Sequence, residues 1–335
     1  MSRRIAINGF GRIGRMILRA LVENGRDDLK VVAINDLADS KRLAHLLKYD
    51  SVHGRFPGEI KHGNNDIIVN GQKIPCYSER DPSDLPWAKH SVDIVMECTG
   101  FFLTQDVCGK HILAGAKRVL MSAPAKDDTK TIVYGVNDNI IDASDIFLSN
   151  ASCTTNALAP LLKVLHENFG IKSGMMTTVH AYTGDQPTLD NIHRDPYRAR
   201  AAALSMIPTT TGAAKAISKV LPELEGKVDG VAVRVPVPNV SMVDLTVQTN
   251  KDATVIDIQK HFKNASDNGL KGVLGYIDEP LVSSDLNHDE HSSSFVADQV
   301  YVNQDRLVRV MAWYDNEWGF SNRMLDTASV MGSLL

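Results

Sequence analysis

The residues best suited to chemistry surround Cys153, in the run Ser152-Cys153-Thr154. A short apolar stretch at residues 145–148 precedes it and a leucine-rich helical pattern follows. A cysteine at such a junction lies in the positive field of a helix N-terminus, which favours the nucleophilic thiolate, and the neighbouring hydroxyls and N–H groups can bind an anion. A lone cysteine is more often a buried structural residue. The polar neighbours, the junction and a downstream histidine favour a nucleophile, and we expect its pKa to fall below the free value of about 8.5.

A histidine and two arginines supply groups that could act with this thiol. His180 ends an alternating stretch and could be an inert core histidine. Beside a thiolate it can take a proton and polarise a carbonyl oxygen. Arg198 and Arg234 could be surface charges, and they fit an anionic substrate equally well, because guanidinium pairs with phosphate through forked hydrogen bonds. Valines alternate along residues 231–237, which places Arg234 on the opposite face of its strand.

A dinucleotide site is predicted near the N-terminus. Gly9, Gly11 and Gly14 form a G-x-G-x-x-G pattern between an apolar strand and a helix, and Asp36 ends the next strand. The glycines let the backbone approach a pyrophosphate, the helix N-terminus binds its charge, and the acid accepts hydrogen bonds from an adenosine ribose. Glycines alone also make ordinary turns, but the strand, the helix and the acid together favour dinucleotide binding.

Two kinds of domain must position these residues. Strands and helices alternate up to about residue 150, which predicts an α/β fold with a doubly wound parallel Rossmann sheet. Later strands alternate in polarity and are widely spaced, which predicts a second, α+β catalytic domain with a mainly antiparallel sheet. We expect residues 1–152 and 317–335 to form the dinucleotide-binding domain, with the C-terminal helix returning to it, and residues 153–316 to form the catalytic domain.

The composition bounds the remaining function classes. The chain has 335 residues, 43% of them hydrophobic and 23% charged, which suits two soluble domains. Its net charge of −4 gives no basic footprint, so no nucleic-acid partner is indicated. The four cysteines have neither metal-ligand spacing nor the density of a disulfide scaffold. Since the sequence shows no apolar signal core or membrane-length stretch, we expect a cytoplasmic protein with no metal and no membrane partner.

Four stretches together resemble the phosphorylating glyceraldehyde-3-phosphate dehydrogenase family, and the resemblance extends over essentially the whole chain. They are residues 7–15, 151–156, 207–215 and 313–319. The resemblance implies a glycolytic enzyme that reversibly oxidises and phosphorylates D-glyceraldehyde 3-phosphate to 1,3-bisphosphoglycerate. It implies NAD as the cofactor and a thioester on Cys153 as the intermediate. It also implies a homotetramer, with residues 185–203 packing at its centre.

The resemblance further implies roles for individual residues. It makes Cys153 the nucleophile and His180 its base. Around the attacking inorganic phosphate it places Ser152, Cys153, Thr154, Arg198, Thr211 and Gly212. On the substrate's own phosphate it places Thr183 and Arg234. To the cofactor it assigns Gly9, Gly11, Arg12, Ile13, Gly14, Asp36, Arg80, Ser122 and Asn316.

Two positions depart from the family's pattern. Many members carry a second cysteine four residues after the nucleophile, where this chain has Ala157, but the position is not catalytic. The family's Leu-Pro pair near the adenosine pocket is replaced by Asn191-Ile192, which bears on the preference for NAD over NADP. We expect NAD to be preferred by at least about a hundredfold, because the Asp36 carboxylate would repel a 2′-phosphate.

Two other functions stay open at the level of the sequence. Erythrose-4-phosphate dehydrogenase shares the fold and the cysteine, but residues 181–185 and the threonine-rich stretch 209–212 fit the glyceraldehyde phosphate enzyme better. A non-catalytic role, such as binding nucleic acid through the cofactor groove, has no basic stripe or extra domain to support it.

Overall fold

A computed structural model describes residues 2–335 of the chain. By their internal contacts the residues form two compact units. The first unit contains residues up to 132 together with 138–151 and 321–335, and the second contains residues 133–137 and 152–320. One boundary therefore falls directly before Ser152 and Cys153.

The strands of the first unit range from two-residue strands to the near-continuous apolar runs at the centre of its main sheet. They are β1 (Arg3–Asn8), β2 (Leu29–Asn35), β3 (Tyr49–Asp50), β4 (Gly54–Arg55), β5 (Ile60–His62), β6 (Asp66–Val69), β7 (Gln72–Tyr77), β8 (Ile94–Glu97), β9 (Arg118–Met121) and β10 (Phe147–Ser149). Ile5 and Ile7 in β1 are fully buried, as expected for a strand covered on both faces.

The main sheet of the first unit has the order β10-β9-β8-β1-β2-β7-β6-β5. Neighbouring strands from β10 to β7 are parallel, and Ile7 lies between Ile34 and Met96. The predicted doubly wound parallel sheet is confirmed. It is extended at one edge by β5 and β6, which pair antiparallel with each other and with β7. Asn70 and Gly71 close the β6–β7 hairpin with positive φ angles, the backbone that a tight two-residue hairpin turn requires.

The helices follow the same division. Residues 2–335 form α1 (Arg12–Glu23), α2 (Ser40–Lys48), α3 (Gln105–Leu113), α4 (Cys153–Phe169), α5 (Ala213–Val220), α6 (Val255–Asp267) and α7 (Trp318–Ser333). From residue 321 onward α7 belongs to the first unit, where Thr327 donates to the Asn150 side chain at 2.8 Å and Arg118 donates to the Met331 carbonyl at 2.5 Å. Within the described residues, no helix is both long and apolar enough to span a bilayer.

The second unit is built on a mixed sheet. Its strands are β11 (Ile171–Ala181), β12 (Ile207–Thr210), β13 (Val228–Val235), β14 (Ser241–Thr249), β15 (Leu274–Ile277), β16 (Ser293–Val296), β17 (Tyr301–Asn303) and β18 (Leu307–Tyr314). The order is β12-β13-β11-β14-β18-β16-β15, with β17 pairing to β18. Most pairs are antiparallel, as predicted, while β11 with β13 and β15 with β16 are parallel.

Helix α4 is almost wholly buried and contacts β11, β14, β16 and β18. Leu158, Leu161, Leu162 and Leu165 are fully buried along it, so the helix fixes the position of its own first residue, Cys153. It ends at Gly170, whose φ of +68° favours glycine.

Candidate active site

The backbone before Cys153 positions the thiol in the first turn of α4. Buried Ala151 has a φ of +57°, a left-handed conformation that is costly for a residue with a Cβ. Ser152 is the N-cap, and its hydroxyl accepts the Thr155 N–H at 3.1 Å. Cys153 is the next residue, so its sulfur lies at the positive end of a 17-residue helix.

His180, the last residue but one of β11, lies beside this thiol. Its Nε2 is 3.5 Å from Cys153 Sγ, and its Nδ1 is 2.7 Å from the Ala181 carbonyl oxygen. Arg234 Nη1, a donor, also lies 2.9 Å from Nδ1, but the carbonyl contact is the shorter of the two and a carbonyl can only accept. We therefore assign the proton to Nδ1, which leaves the Nε2 lone pair facing the sulfur. Burial, followed by the nearby charge of Arg234, lowers the pKa of His180 to about 3. The imidazole is therefore a neutral acceptor at physiological pH.

The pKa of the Cys153 thiol differs from the value expected from the sequence. Burial raises the pKa of Cys153, and this outweighs the lowering by the Arg234 charge and by hydrogen bonds from Thr154. The predicted lowered pKa is therefore wrong for the chain in this state. His180 is buried and Cys153 half-buried, so the pair consists of a thiol and a neutral imidazole, and the proton can move to Nε2 as the sulfur attacks.

Two guanidinium groups lie on the same side of the second unit. Arg234 donates from Nη1 to the Ala181 carbonyl at 2.9 Å and to Thr183 Oγ1 at 3.1 Å. Arg198 donates from Nη1 to Asp185 at 3.0 Å, and Asp185 also accepts from the Thr183 hydroxyl. Thr183 and Asp185 thus link the two cations, and burial followed by the charge of Arg198 lowers the pKa of Arg234. Arg198 is also 3.7 Å from the Asp195 carboxylate, whereas among residues 2–335 no carboxylate lies within ion-pair distance of Arg234, so the charge of Arg234 suits an anion.

The threonine-rich stretch supplies a second helix N-terminus. Gly212 is the N-cap of α5, and the Thr211 hydroxyl accepts the Ala213 N–H at 3.2 Å. Thr209 links this stretch to Arg198, from whose Nε it accepts at 3.1 Å. The predicted phosphate residues Arg198, Thr211 and Gly212 are thus connected by the β12–α5 segment.

Sequence reasoning missed Tyr314. Its hydroxyl lies 2.9 Å from Thr154 Oγ1 and 2.8 Å from Thr178 Oγ1, and its ring meets the His180 ring edge-on at 5.9 Å. Burial raises the pKa of Tyr314, so it stays neutral. The tyrosine thereby ties the first turn of α4 to β11. It lies in a stretch that carried the family resemblance, but only the fold shows that its hydroxyl reaches Thr154.

The glycine turn of the first unit is shaped for close approach. Gly9 has a φ of +90°, and a Cβ there would lie 2.8 Å from the Thr99 nitrogen. A Cβ on Gly14 would lie 2.1 Å from the Gly9 carbonyl oxygen, so α1 can pack against the turn only through glycine. Gly11 is the N-cap of α1 and has open space beside it. This cradle, which side chains would fill, fits a dinucleotide pyrophosphate.

A cavity of about 540 Å³ lies against this turn. It is lined by Asn8, Gly9, Gly11, Asn35, Asp36, Leu37, Glu79, Arg80, Cys98, Thr99, Phe101 and Phe102. Asp36 is held by the N–H groups of Phe10 at 2.8 Å and Ala38 at 3.0 Å. Four of the predicted cofactor residues therefore line one cavity, with a carboxylate at the end of β2 where an adenosine ribose binds in this fold.

The other predicted cofactor residues do not line this cavity. Arg12 and Ile13 open α1, and Arg12 pairs through both Nη atoms with the carboxylate of Asp50, which the sequence did not single out. Ser122 follows β9 and donates its N–H to the Glu97 carbonyl at 2.9 Å. Asn316 belongs to the second unit.

A buried polar network underlies the glycine turn, and sequence reasoning missed it. The Glu97 carboxylate accepts from Asn8 Nδ2 at 2.6 Å, from the Thr99 N–H at 2.8 Å and from the Thr99 hydroxyl. Trp87 donates to His111 Nδ1 at 3.0 Å, so the His111 proton lies on Nε2 and is donated to Glu97 at 3.1 Å. The network therefore ties Asn8 to Thr99, two residues of the cavity wall.

Residues 2–335 contain no cluster of three or more His, Cys, Asp or Glu side chains arranged to hold a metal ion. What the geometry defines is a thiol–imidazole pair beside an anion site in one unit and a dinucleotide cradle in the other. That combination is typical of a cysteine-dependent dehydrogenase.

Comparisons with known proteins narrow this class to one family. Residues 3–105 match the family model described as "Glyceraldehyde 3-phosphate dehydrogenase, NAD binding domain", and residues 152–316 match that of its C-terminal domain. The chain is 58% identical to glyceraldehyde-3-phosphate dehydrogenase of Cereibacter sphaeroides over the full length of both chains. It is 55% identical to the proteins of that name from Xanthobacter flavus and Pseudomonas aeruginosa, over at least 99% of each chain. The chain belongs to the glyceraldehyde-3-phosphate dehydrogenase family, which confirms the resemblance read from the sequence.

Proposed function

We propose that the chain catalyses the NAD-dependent oxidation and phosphorylation of D-glyceraldehyde 3-phosphate to 1,3-bisphosphoglycerate. The observation that carries the proposal is the 3.5 Å contact between the Cys153 thiol and the neutral Nε2 of His180. Arg234 and Thr183, which lie on the other side of the same imidazole, supply charge and a hydroxyl for an anionic substrate. A nucleophile, a base and an anion site are what this reaction requires.

The first half of the reaction uses the thiol and the imidazole. Cys153 Sγ attacks the aldehyde carbon, and the thiol proton passes through His180 Nε2 to the carbonyl oxygen, giving a hemithioacetal. His180 then removes the hydroxyl proton as the carbon gives up its hydride, and a thioester on Cys153 results. NAD, when bound, is the hydride acceptor.

The second half uses the anion site. Inorganic phosphate attacks the thioester carbon and displaces the sulfur, so an acyl phosphate leaves and protonated His180 returns its proton to Cys153. We assign this phosphate to Ser152, Cys153, Thr154, Arg198, Thr211 and Gly212. Since the Thr154 hydroxyl bonds to Tyr314, Thr154 would contact the phosphate through its backbone. Thr183 and Arg234 are assigned to the phosphate that the substrate carries.

The first unit is the proposed NAD-binding domain and the second the proposed catalytic domain, with the last helix returning to the first. Gly9, Gly11 and Gly14 would receive the pyrophosphate, and Asp36 the adenosine ribose. Arg12, Ile13, Arg80, Ser122 and Asn316 are the further proposed contacts with the cofactor.

Erythrose 4-phosphate is the competing substrate. Initial rates of NADH formation, followed by absorbance with each sugar phosphate and with or without inorganic phosphate, separate the two activities. We expect faster turnover of glyceraldehyde 3-phosphate and sustained turnover only when phosphate is present. A higher specificity constant for erythrose 4-phosphate would refute the proposed substrate, and turnover independent of phosphate would refute the acyl transfer.

We also propose a homotetramer that works in the cytoplasm. Besides Tyr197, four apolar side chains within residues 189–206 are more than 60% exposed, which a monomeric surface rarely presents together. They are Leu189, Ile192, Leu204 and Met206. Light scattering should give four times the chain mass, and Leu204→Asp should lower it, whereas Leu113→Asp, at an equally exposed leucine of the first unit, should not. A wild-type protein with the mass of a monomer would contradict the tetramer. The cytoplasmic location is supported by the four free cysteines, which suit a reducing compartment.

A further inference from the structure

The hydroxyl of Ser241 joins two segments of the second unit. Ser241 begins β14 and is only 1% exposed. Its oxygen accepts the backbone N–H of Ala181 at 3.1 Å and lies 2.7 Å from the side-chain oxygen of Asn316. The N–H of Ala181 can only donate, so the single hydroxyl proton of Ser241 remains for Asn316.

This arrangement sets which end of the Asn316 amide meets the serine. With Oδ1 toward Ser241, the serine proton has an acceptor. With the amide turned over, the serine would receive two donors, and its own proton would be left buried without a partner, which costs free energy. The hydrogen bond therefore holds the amide in one orientation and directs Nδ2, a donor, away from the serine.

The other end of the Asn316 amide is available to a ligand. Asn316 is 5% exposed, and among residues 2–335 its Nδ2 has no hydrogen-bond acceptor. Asn239, a nearby buried asparagine in the same unit, instead donates from its Nδ2 to Asn287 and Asp315. The Asn316 amide is thus fixed at its oxygen and unpartnered at its nitrogen, as expected of a preorganised donor.

Ala181 connects this donor to the catalytic pair. Its carbonyl oxygen accepts from His180 Nδ1 at 2.7 Å and from Arg234 at 2.9 Å, while its N–H is the group bound by Ser241. One peptide segment therefore orients the base on one side and, through a single hydroxyl, the Asn316 amide on the other. The Asn316 amide is therefore linked through Ser241 to the residue that follows the base, so we expect it to face the reacting end of a bound ligand.

We propose that Ser241 is a positioning residue that presents Asn316 Nδ2 to an acceptor on the nicotinamide end of the cofactor. The inference rests on the proposed function, in which Asn316 contacts NAD. The nicotinamide ring carries a carboxamide oxygen, which can accept this hydrogen bond. ADP-ribose lacks the ring and cannot, so the two ligands separate this contact from binding of the adenosine half.

Calorimetric titration of the nucleotide-free protein with NAD and with ADP-ribose tests the proposal. Ser241→Ala should lower the affinity for NAD about tenfold, which is the net effect of one hydrogen bond. The same substitution should change the affinity for ADP-ribose by less than about twofold. Ser293→Ala is the matched control, because Ser293 is also fully buried on a strand but its hydroxyl has no partner. It should leave both affinities unchanged.

A double-mutant cycle separates positioning from general destabilisation. In an Asn316→Ala background, Ser241→Ala should cause no further loss of NAD affinity, because the amide it positions is gone. Additive losses, or equal losses for NAD and ADP-ribose, would overturn the proposal.

Neutron diffraction from wild-type crystals gives a test that needs no variant. It should show deuterium on Ser241 Oγ directed at Asn316 and two deuterons on the far side of that amide. The opposite orientation would refute the positioning role whatever the affinities. Failure of the wild-type protein to oxidise glyceraldehyde 3-phosphate would instead refute the proposed function, so the two failures are distinguishable.

Discussion

At the scale of single residues, the chemistry depends on which ring nitrogen of His180 carries the proton. The sequence could predict that a cysteine and a histidine act together, because both stand at the ends of regular elements. It could not predict that the Ala181 carbonyl fixes the proton on Nδ1, or that burial raises the pKa of the thiol. Those properties depend on neighbours that only the fold supplies.

Replacing the base is the first prediction. His180→Asn should lower turnover by about 10²–10⁴, the usual contribution of a positioned base, and should slow alkylation of Cys153 by iodoacetamide at neutral pH. Stopped-flow NADH formation and mass spectrometry of the alkylated peptide measure the two effects. His166→Asn is a matched control, since His166 lies on α4 and bonds to the Ile171 N–H instead. Unchanged alkylation in His180→Asn would show that the imidazole does not activate the thiol.

Arg234 gives a prediction about substrate recognition. Arg234→Leu should raise KM for glyceraldehyde 3-phosphate far more than KM for unphosphorylated glyceraldehyde, because the lost charge acts on the phosphate. The guanidinium also bonds to the Ala181 carbonyl, so a smaller loss in kcat is expected for both substrates. Steady-state kinetics with the two aldehydes decide the matter. Equal KM changes would rule out a phosphate contact.

The Asp36 carboxylate carries the prediction for cofactor choice. Wild-type protein should prefer NAD over NADP by at least about a hundredfold, which requires only ~2.7 kcal/mol. Asp36→Gly should reduce the preference for NAD over NADP, mainly by weakening the binding of NAD, because it removes the acceptor for the ribose hydroxyls. Initial rates at matched concentrations of the two nucleotides provide the measurement. Comparable wild-type specificity constants would mean that Asp36 does not lie against the ribose.

At the scale of elements, most candidate residues stand at the end of a strand or the start of a helix. The sequence could locate these junctions because apolar runs, glycines and N-cap residues mark them. A proline inside a helix removes a backbone hydrogen bond, so Pro160 by itself disfavours a helix here, but α4 runs from Cys153 to Phe169. Burial of the leucines along α4 explains why packing outweighs the cost of one proline.

Other elements could not be predicted because their partners are distant in sequence. The Glu97 network brings together β1, β8 and α3, and no local pattern predicts that Trp87 would set the tautomer of His111. The Arg12–Asp50 ion pair likewise joins the start of α1 to β3.

That ion pair gives a prediction about acid stability. Burial alone would raise the pKa of Asp50, but hydrogen bonds from Arg12 and from the His53 N–H outweigh it and lower the pKa to about 2. A carboxyl whose pKa is lowered by folding stabilises the protein above its unfolded value of about 3.9, and this contribution is lost as the pH falls toward 2. Asp50→Asn should therefore flatten the fall in stability between about pH 4 and pH 2.

Urea unfolding of both proteins across this pH range provides the measurement. Asp27→Asn, at an exposed carboxylate of the same unit, is the control and should follow the wild type. A wild-type and an Asp50→Asn protein with parallel pH profiles would show that the Arg12 pair does not stabilise the fold.

At the scale of the whole molecule, the order and type of elements could be read from the sequence more fully than the pairing of strands. Alternating strands and helices predicted the parallel sheet of the first unit, whereas the parallel pairing of β11 with β13 joins strands far apart in the sequence and depends on tertiary contacts. The same limit applies to the sites. Cys153, His180 and the glycine turn can be predicted from their residue types and positions. The roles of Tyr314 and Ser241 depend on the atoms to which they are hydrogen-bonded in the folded chain.

The proposed mechanism requires that the substrate become a thioester on Cys153. Intact-protein and peptide mass spectrometry, after mixing the protein with NAD and glyceraldehyde 3-phosphate without inorganic phosphate, tests it most directly. We predict one 3-phosphoglyceroyl group on the Cys153 peptide, which disappears when phosphate is added and never forms in Cys153→Ser. Turnover without any such adduct, or an adduct on another residue, would show that Cys153 does not carry the intermediate.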